Sequence, residues 1–181
     1  MKLDHYNVVG AYNNPITNER IVEVPLANKF LDTCARDGVI GRTTEVGCVT
    51  PYYFNTTVHR VVDLTDDHPR AERRDARDMV ITQDMPVLAI STVEHMGYDA
   101  VEFVNRILVQ YPLHLITWPI GHNEMLDRTV KGTYYLERMG PGEDQNIWFV
   151  SDRKSPERYV GWNDGYRYML AVVTNCKEVM P

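Results

Sequence analysis

Apolar positions along the chain change period several times, and each change marks a different element. From Asn18 to about Ala35, Val22, Leu26, Phe30 and Leu31 recur at helical spacing. Pro25 lies inside that run. A proline is best accommodated in the first turn of a helix, so the helix is expected to start near it and to end at Gly38 and Gly41. Shorter patterns follow. Thr43–Val46 runs into Gly47, and Arg60–Leu64 is cut off by Thr65-Asp66-Asp67-His68-Pro69, a strong loop signal. Pro86–Ser91 contains Val87-Leu88-Ala89-Ile90, the continuous apolar run of a strand covered on both faces. Helical period returns over residues 99–110 through Val101, Val104, Ile107 and Leu108. Pro112 closes that helix, and Leu113–Trp118 reads as the next strand.

Short buried strands separated by a helix predict an α/β sheet with right-handed crossovers. The last third changes character. Thr133–Met139 and Asn146–Ser151 flank Gly140-Pro141-Gly142-Glu143-Asp144 and read as a hairpin, and Tyr166–Thr174 is the final strong strand. The expectation is a mostly parallel front half with an antiparallel tail. Residues 1–17 are polar and turn-rich, an irregular arm before a single domain that spans the 181 residues.

Composition narrows the partners. Apolar residues at 44% and charged residues at 24% are ordinary globular usage, which argues against disorder. The net charge of -6 provides no broad basic footprint for phosphates, and the arginines at 70, 73, 74 and 77 are interleaved with Glu72, Asp75 and Asp78. Nucleic acid is therefore a poor candidate partner. Cys34, Cys48 and Cys176 are odd in number and widely spaced, and the six histidines form no i, i+4 ligand pair, so neither a disulfide framework nor a metal site is expected. No apolar stretch approaches the roughly 18 residues of a membrane span. The N-terminus lacks a signal-like apolar run, so a cytoplasmic protein is the expectation.

In an open parallel sheet, ligands bind beyond the carboxyl ends of the strands. Those ends carry Glu45-Val46-Gly47-Cys48-Val49-Thr50, then Asp63, then Ser91-Thr92-Val93-Glu94-His95-Met96-Gly97, then Thr117-Trp118-Pro119-Ile120-Gly121-His122-Asn123. Gly47 would let backbone approach a ligand, and an acid such as Asp63 can accept both ribose hydroxyls. Asp75 could accept from an exocyclic amine, and His95 could act as a general base near neutrality. Taken singly, a glycine after a strand is usually a turn, a lone carboxylate usually a cap, and a lone histidine usually structural. Trp118, Tyr134, Tyr135 and Trp148 read as core and sheet surface. Only the ordered combination points to a site.

In that order, the segments resemble the class I S-adenosylmethionine (SAM) dependent methyltransferases, and within them a subgroup associated with sugar and glycan modification. Ser91-Thr92-Val93-Glu94-His95-Met96-Gly97 is the most specific piece. Asn18–Pro25 resembles the lead-in, Glu45–Tyr53 the cofactor loop, and Val61-Val62-Asp63 the acid after the second strand. Ile116–Asn123 with Leu126-Asp127 resembles the loop after the fifth strand, and Tyr134–Arg138 with Trp148 the closing hairpin. The sequence departs from the family at Val49, where the loop usually has a second glycine.

The resemblance implies a Rossmann-like class I methyltransferase sheet, helices on both faces and a reversed last strand. It also implies SAM across the strand ends: Glu45 and Gly47 at its methionine end, Asp63 at the ribose, Asp75 and Ala76 near the adenine. Ser91, Thr92, Glu94 and His95 would face the sulfonium and the acceptor. The expected reaction is methyl transfer to a hydroxyl of a small molecule or glycan, with His95 as base and His122 second. The alternative is a non-catalytic methyltransferase-like binding or assembly protein. Homo-oligomerisation is left open.

Overall fold

Residues 19–54, 58–138, 148–151 and 168–181 are described in the computed structural model of the chain. Helix α1 spans Arg20–Arg36 and buries Val22, Leu26, Ala27, Phe30 and Cys34. Pro25 does not start it. The helix begins five residues earlier and runs through the proline, at a cost of about 3 kcal/mol for the lost hydrogen bond and the ring clash. Burial of each large apolar side chain contributes about 1.5–3 kcal/mol, so the stripe outweighs the proline. The helix ends at Asp37, and Gly38 follows with φ +71°, the left-handed turn that favours glycine at this point.

The strands are β1 (Thr44–Val46), β2 (Arg60–Asp63), β3 (Ala71–Arg73), β4 (Val87–Ile90), β5 (His114–Pro119), β6 (Tyr134–Arg138), β7 (Trp148–Val150) and β8 (Tyr168–Thr174). They form one sheet in the order β3-β2-β1-β4-β5-β8-β6-β7. The pairs β2–β3, β1–β2, β1–β4 and β4–β5 are parallel. Strand β8 runs antiparallel between β5 and β6, and β6–β7 is an antiparallel pair. The parallel front and antiparallel tail expected from the sequence are both present. The turn expected at Gly140–Asp144 and the arm at residues 1–17 lie outside the described residues.

Side chains on the central strands alternate between two cores. Val87, Ala89, Ile116, Trp118, Ala171 and Val173 meet helix α2 (Asp99–Gln110) through Ala100, Phe103, Val104 and Ile107. Leu88, Ile90, Leu115, Leu136, Leu170 and Val172 meet α1 on the opposite face. Helices therefore cover both faces of the sheet, and the period-2 strands are apolar on both sides. Trp118, Tyr134 and Tyr135 are buried in these cores. No described helix is long and apolar enough to cross a membrane.

Two elements escape the hydrophobic pattern. Ala-Glu-Arg of β3 is largely exposed and pairs because the edge of β2 offers unpaired backbone, helped by an Arg60–Glu72 ion pair. Helix α3 (Glu124–Thr129) is too short to show a period. Asn123 caps it, its side chain accepting from the Leu126 N–H at 3.0 Å.

Candidate functional site

Strand order reverses between β1 and β4, and the carboxyl ends of β1, β2, β4 and β5 share one edge of the sheet. This is the place where open α/β sheets bind ligands. Its β1–β2 half is fastened by carboxylates. Glu45 is fully buried and accepts from the Val49 N–H at 2.9 Å, the Thr50 N–H at 2.7 Å and the Thr50 hydroxyl, with His59 Nε2 at 2.7 Å. Four protein donors fill the Glu45 carboxylate, which acts as the internal clasp of the loop. Val49 has φ -115° and is buried under α1. No glycine geometry is needed there.

Asp63 ties β2 to the same loop. Its Oδ2 accepts from the Cys48 N–H at 2.9 Å, and its Oδ1 from the Thr65 and Asp66 N–H groups at 2.8 and 2.9 Å. Burial acts to raise its pKa, but the three backbone donors prevail and hold the carboxyl below its ordinary range. A ligand hydroxyl at Asp63 would meet a carboxylate that already accepts three backbone N–H groups. Oδ1 is filled from within the protein, and Oδ2 alone keeps a lone pair.

Gly47, at φ +86°, is a position of close approach, although the neighbour is the protein itself. A Cβ there would stand 2.0 Å from Thr92 Oγ1 and 2.8 Å from Thr92 Cβ. The loop after β1 thus rests directly on the turn after β4. Asp75 caps a short turn and is wrapped by Arg77, whose backbone N–H and guanidinium both donate to it. Those bonds pull the Asp75 carboxyl down to about 2. Ala76 is buried in the core. An adenine amine would have to compete with Arg77 for Asp75.

The β4–β5 half is built differently. Ser91 leaves β4 at φ +40°, a conformation that costs a non-glycine residue on the order of 1–3 kcal/mol. It is held there by its N–H to the Thr117 carbonyl at 3.0 Å and its hydroxyl to Glu23 Oε1 at 2.7 Å. Glu23, wholly buried on α1, also accepts from Thr117 and from Arg20 Nη1 at 2.6 Å. Burial pushes the Glu23 carboxyl up, and the Arg20 charge pulls the other way.

Beyond Ser91, the turn places Glu94 inward and His95 outward. The Glu94 side chain is 1% exposed and that of His95 72%, with Glu94 Oε1 3.7 Å from His95 Nε2. Glu94 Oε2 is buried and has no hydrogen-bond partner among the described residues. Burial pushes the Glu94 carboxyl up to about 8, reinforced by the charges of Glu23 and Glu19. His95 lies below its ordinary value through burial, with His122 and Arg20 acting in the same direction. The His95 and His122 rings meet edge-on with centroids 6.4 Å apart. Asn123 Nδ2 donates to the Glu94 and Gly97 carbonyls at 3.2 and 2.8 Å, and Asp127 accepts from Trp118 Nε1 and the Gly121 N–H. Asn123 thus fastens the loop that carries His122 to the turn that carries His95, and Asp127 ties that loop to helix α3.

Sequence reasoning picked out Glu94, His95 and His122, which the fold brings together, and missed Arg20, Glu23, Thr117, Asn123 and Asp127 as their supports. One signal was available. Arg20 and Glu23 stand at i-3 and i from Ala27 and Phe30 at i+4 and i+7, which places two charges on the apolar stripe of a helix. An open groove of about 940 Å³ along α2, lined in part by Val80, Tyr98, Val109 and Met125, includes none of the strand-tip residues. The chain matches no known family model, no curated protein and no solved structure.

Proposed function

We propose that the chain is a SAM-dependent methyltransferase that transfers a methyl group to a hydroxyl of a small molecule or glycan. The observation that carries this reading is the convergence of His95, His122 and the buried Glu94 at the β4 and β5 tips, beside the reversal of strand order. A mostly parallel sheet whose last strand, β8, is reversed agrees with the Rossmann-like arrangement that the sequence resemblance implies. The buried free thiols of Cys34, Cys48 and Cys176 suit a reducing compartment such as the cytoplasm.

The fit to the cofactor is best at the turn after β4, where Glu94 Oε2 lacks a partner among the described residues, and at Asp63, where Oδ2 has one lone pair to offer. SAM supplies, when bound, an activated methyl on a sulfonium. Residues 91–94 and Asp63 would hold it. His95, kept neutral by its lowered pKa, takes the proton from the acceptor hydroxyl at an imidazole nitrogen. The Glu45 clasp, the Gly47–Thr92 contact and Asn123 fix the geometry in which donor and acceptor meet, and such alignment contributes about 7–11 kcal/mol to lowering a barrier.

The test is calorimetric titration and thermal shift with SAM and with S-adenosylhomocysteine. Ligand at about 100 times its dissociation constant should stabilise the fold by about 2.7 kcal/mol. His95→Ala should then lower turnover by about 10²–10⁴-fold while leaving SAM affinity unchanged. Absence of binding at millimolar concentration of either ligand overturns the reading. A second reading, a non-catalytic binding protein on the same scaffold, is favoured by one observation: Glu45, Asp63 Oδ1 and Asp75 are all occupied by protein donors. The same titration separates the two.

A further inference from the structure

The turn after β4 carries a carboxylate that the fold does not need. Glu94 is nine-tenths buried or more, and its Oε2 has no hydrogen-bond partner among the described residues, where His95 Nε2 stands 3.7 Å from the other oxygen. A buried acceptor left bare costs about 1–3 kcal/mol, more for a charged group, so such atoms usually mark a missing partner. The surroundings say which kind. From α1, Glu19, Glu23 and Arg20 all act on Glu94 through their charges, and Arg20 is already bonded to Glu23. From its own turn His95 faces it, and from the loop after β5 His122 lies against His95. Glu19 Oε2 is likewise buried without a partner among the described residues. Three acids therefore share one guanidinium. An anionic group would be disfavoured among these acids, whereas a cation can both meet the bare oxygen and stabilise the ionised form of Glu94.

We propose that Glu94 is the receptor for an organic cation, an ammonium or sulfonium centre, on a ligand seated at the tips of β4 and β5. The cation has two possible carriers: the methyl donor itself, through its sulfonium and amino group, or an amino group on the acceptor. The donor arm rests on the methyltransferase reading; the acceptor arm does not. In the free protein at neutral pH the Glu94 carboxyl holds its proton, since burial has raised it to about 8. Seating a cation stabilises the carboxylate, so the proton leaves to solvent as the ligand binds.

The experiment is titration calorimetry of the full chain at pH 7 in two buffers of different ionisation enthalpy, which counts protons released. The donor probes are SAM, S-adenosylhomocysteine and 5′-methylthioadenosine, the last carrying neither cationic centre. The acceptor probes are glucosamine and glucose. In at least one series the cationic member should bind about tenfold tighter or more, the worth of one charged hydrogen bond, and should release a proton. Glu94→Gln, isosteric and folded by its circular dichroism melt, should abolish both the preference and the release. Glu19→Gln should weaken the preference in part. Adenosyl ligands that bind alike whatever their charge, with no cation preference between the sugars, overturn the inference and leave the methyltransferase reading standing. Glucosamine bound through Glu94 without any adenosyl binding does the reverse. If none of the five ligands binds, both fall.

Discussion

Two carboxylates near neighbouring strand tips have been put to opposite uses. Glu45, in the middle of the short strand β1, and Glu94, just past the end of β4, are both almost wholly removed from water. Glu45 is surrounded by four donors from Val49, Thr50 and His59. Glu94 Oε2 has none among the described residues, and the nearby Arg20 guanidinium is bonded to another acid, Glu23. A buried carboxylate that is saturated is part of the scaffold, because its bonds fix the backbone around it. A buried carboxylate left bare lowers stability, and such a cost is characteristic of positions that meet a ligand. The β1–β2 half of the edge is thus a finished clasp, and the β4–β5 half is a receptor.

The sharpest way to break this contrast is Glu45→Ala. It strands two buried N–H groups, a hydroxyl and an imidazole at once, so urea unfolding should report a loss of about 5 kcal/mol, the upper end for removing one partner of a buried polar cluster. A loss below about 1 kcal/mol would show that Glu45 is not the clasp.

Glu94→Gln should act in the other direction and depend on pH. The carboxyl titrates at about 8 in the folded protein against 4.5 in the unfolded chain, so its folded pKa is raised. Between those values the folded state holds a proton that the unfolded state has lost, and stability falls as pH rises, then levels off above about 8. The fall is on the order of 5 kcal/mol. Denaturation midpoints across pH 4–9 should show the glutamine variant lacking that slope and more stable than the parent at pH 8. Identical slopes would remove Glu94 from the argument.

Gly47→Ala tests the contact between the two halves. The new Cβ would collide with Thr92, and its backbone would remain in the left-handed region, so the loss should be about 2–3 kcal/mol. Adding Thr92→Ala should recover only part, because the Thr92 Cβ itself lies 2.8 Å from the added atom. Asp75→Ala is the small end of the series. The Asp75–Arg77 pair is exposed and screened by solvent, and the expected change is below about 1 kcal/mol by thermal melt.

Much of the fold was legible because buried elements carry a period. The run Val87-Leu88-Ala89-Ile90 and the helix at residues 99–110 fall where the sequence puts them, since both of their faces or one clear stripe meet a core. What failed to show was held by something other than hydrophobic pattern: β3 by an open sheet edge, α3 by a single cap, and the run of α1 through Pro25 by its packing against β4, β5 and β8. Of the site, Glu94, His95 and His122 were visible as polar residues at strand ends. The supporting roles of Glu23 and Asn123 were not, because each acts on residues distant in sequence, Glu23 on Ser91 and Thr117 and Asn123 on the Glu94 and Gly97 carbonyls.

The sequence by itself determined which residues could be buried, where the strands and helices that carry a hydrophobic period would form, and which polar side chains would stand at the carboxyl edge of the sheet. Composition and spacing suffice for that, because burial and backbone period are local properties. Only the tertiary structure decided which of those polar groups were already occupied. Asp63 and Glu45 are as acidic on paper as Glu94, but the number of donors within reach depends on how β1, β2 and the β4 turn lie against one another. Hydrogen-bond saturation is a property of three-dimensional neighbours, and here it separates the clasp from the receptor.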